Sequence, residues 1–170
     1  PRLRDSINET VTAAVWGESG PTIIAIEESE HLVTMNLRIG SVLPALNTAI
    51  GRLFLAHLPP AVTKPIVAAE RRAAGARALP SGSELDTLLQ SIRRRRLSHA
   101  HGVLIPGVDA IAAPVFDHRD RMVGALCVVG RAEAKITGWS GEAAQVLREA
   151  ADDLSARLGA APSEETADMA

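Results

Sequence analysis

GVLIPGVDAIAAPVFDHRDRMVGALCVVG, residues 102–130, reads as two apolar strands joined by a tight charged turn. Over 109–117 and again over 122–130, apolar residues occupy both alternating faces, so other parts of the chain must cover each strand on both sides. HRDR, residues 118–121, supplies the turn. Val123, Ala125, Cys127 and Val129 share one face of the second strand, and Gly124, Leu126, Val128 and Gly130 share the other. Side chains this small leave room for a helix or a ligand. The pattern suits a sheet that senses a molecule rather than one that carries a catalytic centre.

Upstream, TVTAAVWG (10–17) and PTIIAIEE (21–28) flank GESG, a strand–turn–strand arrangement. HLVTMNLR (31–38) alternates, with Val33, Met35 and Leu37 on one side, and is expected to be a third strand. From Pro44 the period changes: Leu46, Ala49, Ile50, Leu53, Phe54 and Leu58 recur at three and four, predicting an amphipathic helix with Pro44 in its first turn and its end at Pro59-Pro60. A short helix is expected over 61–74. A Gly, Ala and Pro-rich link then leads to Ser83, expected to cap a helix carrying Leu85, Leu88, Leu89 and Ile92, with Arg93 to Arg96 in its last turn as solvated cations facing the helix dipole. SHAH (98–101) reads as a short strand. Ala143, Val146, Leu147, Ala150 and Leu154 predict a final helix over 140–158, stopped by Gly159. Pro114 marks an edge or a bulge. These elements imply an α+β domain with a mixed, mainly antiparallel sheet and helices packed on it.

Composition bounds the function. A chain of 170 residues suffices for one domain that buries roughly 70% of its unfolded surface, and a single cysteine excludes an internal disulfide. A formal net charge of −2 leaves no electrostatic footprint for nucleic acid. With no tyrosine, and only Phe54, Phe116, Trp16 and Trp139 as aromatics, base-stacking platforms are also disfavoured. No run approaches the ~20 apolar residues of a membrane span and no signal-peptide pattern opens the chain, so the cytoplasm is the expected location, with no membrane partner.

Three segments together, LRIGSVLPALNTAIGRLFLAHLP (37–59), RRRRLSHAHGVLIPGVDAIAAPVFDHRDRMVGALCVVG (93–130) and LREAADDLSARLG (147–159), resemble the effector-binding domain of IclR-type transcriptional regulators, a relative of the GAF fold. The resemblance runs from about residue 3 to 159. It implies a winged helix-turn-helix ahead of this domain, operator binding as a homodimer or homotetramer through that missing part, and a small metabolite that modulates DNA affinity. Residues 1–9 are then the end of an interdomain linker, 10–159 the effector-binding domain and 160–170 a disordered tail. Two other readings stay open on the residues alone: a GAF-like sensor module of a signalling protein, and an enzyme of GAF ancestry. The latter requires a reactive cysteine with partners.

By position, the resemblance places the effector against Met35, Leu37, Asn47, Thr48, Ala49, Ile50, Leu97, His99, His101, Asp109, Ile111, Cys127 and Val129. A helix start near 45–49 offers N–H groups to a carboxylate, or is capped by Ser41 or water. His99 and His101, two apart on a strand, face one way and either contact the effector or serve structure; two imidazoles do not complete a metal site, and none is expected. Asp109 is either a ligand contact or a turn residue, and Arg38 either a pocket charge or an exposed strand end. Cys127 reads as an inert buried thiol, with no base and oxyanion donors readable beside it, so no catalytic residue and no cofactor are expected. Relatives often carry serines at 127 and 129; Cys127 and Val129 make a drier pocket, suited to an organic acid with an apolar or aromatic body.

Overall fold

In the computed structural model, which describes residues 2–29, 37–74, 79–102, 106–132 and 141–161, the two strands of the quoted stretch lie in the interior of the sheet. In chain order the elements are α1 (Arg2–Ile7), β1 (Thr10–Gly17), β2 (Gly20–Glu27), α2 (Ala49–His57), α3 (Pro60–Ala74), α4 (Gly82–Arg95), β3 (Ser98–His101), β4 (Val108–Phe116), β5 (Met122–Arg131) and α5 (Glu142–Arg157). The five strands form one antiparallel sheet in the order β2-β1-β5-β4-β3. The β4–β5 turn is held by Asp117, whose carboxylate accepts from the backbone N–H of Arg119 and Arg121 and from the Arg121 guanidinium at 2.8 Å. Those bonds hold the carboxyl well below the usual range.

Both faces of the central strands are covered, as their double-sided apolar pattern requires. α2 and α4 bury one face, where Ala14, Leu53, Phe54, Ala112, Ala125 and Cys127 share a core. α5 and α1 lie on the other, where Val11, Ile111, Val115, Val128 and Leu147 form a second. Pro114 is tolerated because β3 pairs only with 109–112, leaving β4 a single neighbour beyond that point.

Several boundaries differ from those expected. Residues 31–36 of the expected third strand lie outside the described residues and 37–38 are not strand; the fifth strand is SHAH, paired with β4. Within the segment read as the end of a linker, Arg2–Ile7 is helical and forms α1, whose Leu3 and Ile7 pack on the second core. The helix expected from Pro44 begins at Ala49, with Thr48 as its cap accepting from the Gly51 N–H. Residues before it fold back as a turn so close that a Cβ on Gly51 would stand 2.5 Å from the Ala45 backbone. Ser81, not Ser83, caps α4, because Ser81 and Glu84 satisfy each other's backbone N–H in a capping box. α5 stops at Gly159, which takes a left-handed φ of 84°. The expected tail falls outside the described residues from 162 onward.

Candidate functional site

Strand register decides which residues meet beneath α2. Thr12 lies opposite Cys127, Cys127 opposite Ala112, and Ala112 opposite Ser98, so these four form a row across the sheet. The parallel row two residues along is Thr10, Val129, Ala110 and Ala100. Cross-strand partners share a face, and the burial of Cys127, Ala112, Val129 and Ala100 in the α2-side core identifies it. The floor is therefore shallow: alanines and one valine, with hydroxyls and a thiol between them.

The hydroxyls are distinctive. Thr12 is 1% exposed and Ser98 0% exposed; among the described residues the Ser98 Oγ has no hydrogen-bond partner, and the Thr12 hydroxyl has only the weak Cys127 thiol opposite it. Leaving such a group unpaired costs about 1–3 kcal/mol. Thr10, in the outer row, is satisfied by Ser29, whose N–H donates to its hydroxyl at 3.2 Å. Burial pushes the Cys127 thiol up to about 12, so it is neutral at physiological pH, as expected for an inert cysteine.

The turn before α2 forms the rim. Thr48 donates its hydroxyl to the Pro44 carbonyl, and Arg52 donates Nε to the Leu46 carbonyl at 2.8 Å. The N–H groups of Ala45 and Leu46 donate to the two carboxylate oxygens of Glu70 on α3, at 2.5 and 3.0 Å. The expected free N–H groups near 45 and 46 are thus already occupied by an internal carboxylate. Asn47, half-buried, sits on this rim, with Ala49 and Ile50 buried behind it and Leu37 packed against the same core.

The predicted wall therefore divides. Leu37, Asn47, Thr48, Ala49, Ile50, Cys127 and Val129 gather on the α2 side, while Met35 lies outside the described residues. Leu97, His99, His101, Asp109 and Ile111 have the opposite parity and belong to the α5 side. Leu97 and Ile111 are fully buried in the second core, on the face of the sheet away from α2. The histidines form a relay at the sheet edge: His99 Nδ1 stands 3.0 Å from His101 Nε2, and His101 Nδ1 stands 3.3 Å from Asp109 Oδ2. Burial, then His101, Arg52 and Arg95, lower the His99 pKa. Among the described residues no three His, Cys, Asp or Glu side chains assemble for a metal.

Thr10, Thr12 and Ala110 were missed by the sequence reading, which placed the stretch 97–101 in the wall as a whole and Asp109 and Ile111 beside it. Counting outward from Cys127 by cross-strand pairing finds them, once the register is known. Arg52 and Glu70 carry no local signal, since their roles depend on contacts made by folding.

Residues 1–156 match the family described as bacterial transcriptional regulator IclR C-terminal. The probable transcriptional regulator SauR of Cupriavidus necator is 32% identical over 130 residues, covering 75% of this chain and 51% of that protein. The Pca regulon regulatory protein of Pseudomonas putida is 28% identical over 137 residues, covering 76% and 46%. The chain thus spans about half the length of the curated relatives it matches. Among solved structures, Pseudomonas aeruginosa HmgR superposes with a TM-score of 0.86 at 38% identity, over 95% of this chain and 64% of that one. Thermotoga maritima IclR shares the fold, with a TM-score of 0.75 at 24% identity over 93% and 63%. The two curated relatives are named as regulators, and the solved structures share the α+β architecture. A family match over nearly the whole length, carried by the same strands and helices that build the two cores, settles the assignment: the chain belongs to the IclR C-terminal family of bacterial transcriptional regulators.

Proposed function

We propose that this domain binds a small-molecule effector on the α2 face of the sheet, and that occupancy shifts the intact regulator between oligomeric arrangements that differ in operator affinity. The observation that carries the reading is the fully buried Ser98 hydroxyl, unpartnered among the described residues, in a floor of small side chains where the equally buried Thr12 hydroxyl meets nothing stronger than the Cys127 thiol. Native interiors pair their buried polar groups, so such hydroxyls beneath a helix start are what a polar guest would satisfy. Val129, Ala110 and Ala100 supply the apolar remainder, and suit an effector with an apolar or aromatic body and one polar end. The Cys127 thiol, neutral at working pH, adds a packing surface and no nucleophile.

On this reading DNA is contacted by a winged helix-turn-helix outside this chain, the regulator works as a homodimer or homotetramer, and the setting is cytoplasmic. Among the described residues no helix is long and apolar enough to cross a membrane.

The test separates stability from ligand response. Thr12→Val and Ser98→Ala remove the two buried hydroxyls at nearly constant shape, so each should leave the empty domain equally stable or more stable, by about 1 kcal/mol. Each should also reduce the rise in melting temperature that benzoate and related aromatic acids give the parent domain. Variants that lose stability and respond to the acids as the parent does would sink the proposal.

A further inference from the structure

Arg52 carries a charge that no ion pair among the described residues balances. It stands one turn into α2, and its side chain runs back over the rim, where Nε donates to the Leu46 carbonyl. It takes part in no ion pair among the described residues, although it is about half-buried. Other arginines are handled differently: Arg96 meets Asp152, Arg121 meets Asp117 and Arg157 meets Asp153. The nearby carboxylate, Glu70, is committed to the N–H groups of Ala45 and Leu46, on the other side of the same turn. Among the described residues only Nε of the guanidinium is used, so the two terminal nitrogens retain their donors there. These nitrogens are not sealed in, for they are not among the buried unpartnered atoms.

The surroundings favour an anion. Burial lowers the Arg52 pKa, as it does for any cation drawn partly out of water without a counter-charge. α2 packs against β3, and there the Arg52 and Arg95 charges both disfavour protonation of His99. On the same rim the side-chain amide of Asn47 and the first turn of α2 add donors of the right sign. A partly desolvated guanidinium with two free prongs is suited to a planar carboxylate, which it grips by parallel charge-assisted bonds.

We infer that Arg52 is the residue that recognises an anionic group on the ligand of this domain, gripping a carboxylate at the rim while the apolar body lies on the alanine-rich floor. The inference rests on the effector reading above and adds to it a charge requirement and a named anchor. A phosphate offers the same charge without the planar match, so it should bind at this point more weakly than a carboxylate.

The experiment compares benzoate, benzamide and inorganic phosphate on the whole chain, by thermal shift and by NMR titration of the His99 imidazole. Benzoate should raise the melting temperature and move the His99 titration midpoint upward, because an anion beside Arg52 offsets the repulsion that protonated His99 meets. Benzamide, of the same shape and uncharged, should bind about ten- to a hundredfold more weakly. Arg52→Gln should lose benzoate affinity by a similar factor and abolish the His99 shift, and Arg52→Lys should keep the His99 shift with a several-fold loss of affinity; melting without ligand confirms that both fold. Equal binding of benzoate and benzamide, with Arg52→Gln unchanged, would overturn the anchor and leave the pocket standing. Binding of neither would overturn both.

Discussion

On the α5 side of the sheet Val11, Leu97, Ile111, Val115, Val128 and Leu147 bury branched aliphatic side chains against one another, whereas on the α2 side the same sheet presents Thr12, Ser98, Ala112 and Cys127. One face is filled by volume. The other is kept shallow and carries two buried hydroxyls, Ser98 without a partner among the described residues and Thr12 with only the Cys127 thiol beside it. A single run such as IAAPV in β4 serves both, since successive residues turn to opposite faces. The filled face and the shallow face are thus built from alternate residues of one strand.

The contrast is easiest to break on the filled side. Leu147 of α5 is fully buried between Ala144 and Ala151 on the helix and the aliphatics of β4 and β5. Leu147→Ala should cost about 3 kcal/mol in a urea titration, the transfer and cavity cost of a core leucine. It should leave the benzoate response of the domain unchanged. A cost under about 1 kcal/mol would mean that the α5 face is also loosely filled, and the division between the faces would fail.

How much of this was legible follows from which constraints are local. The strands of the 102–130 stretch and the stop at Gly159 are written in alternation and in the one residue that tolerates a left-handed end. The cap of α4 was also readable, because Ser81-Gly82-Ser83-Glu84 holds the capping-box spacing that Ser83 lacks. Face assignment was not. β4 and β5 are apolar on both sides, so alternation alone does not say whether Asp109 or Ala110 turns toward α2; the register with β1 and β3 decides it. This is why His99, Asp109 and Ile111 were expected beneath α2 while Ala100 and Ala110 occupy that side. The clamp of Glu70 on Ala45 and Leu46 spans some 25 residues and leaves no periodic trace.

The shallow side depends on a backbone fit at its rim. Gly51 has an ordinary helical setting, yet a Cβ there would meet the Ala45 Cα and O and the Pro44 O at 2.5 Å. Those atoms are backbone and are pinned by Glu70, Thr48 and Arg52, so they cannot give cheaply. Gly51→Ala should therefore cost about 2 kcal/mol through overpacking and should weaken the benzoate response as well, since the turn that carries Asn47 and Arg52 must move. The paired readout sharpens the contrast with Leu147→Ala, which touches stability alone. A Gly51→Ala domain with parent stability would show that the turn is not held against the helix.

The far end of the α2 face is closed by His57, and this end should respond to acid. Its imidazole packs edge-on against Phe116 at 5.4 Å, and its Nε2 is buried without a partner among the described residues. Arg93, bonded to the Ala56 carbonyl, and Arg96, 4.9 Å over the Phe116 ring, add positive charge beside it. Burial first, then these two arginines, lower the His57 pKa from 6.5 to about 4, with Asp120 opposing. Between those values the unfolded chain binds the proton that the folded chain refuses, so stability falls as pH drops from about 6.5 toward 4. The loss should approach about 2 kcal/mol once discounted for partial exposure, and urea titrations at several pH values within that window measure it. Asp117 does not confuse the readout, because a carboxyl depressed from 3.8 loses its contribution only below that value. His57→Gln, which cannot take up the proton, should flatten the profile between pH 6.5 and 4; an unchanged slope in that variant would place the acid-sensitive group elsewhere and remove the charge argument for how this end of the face is closed.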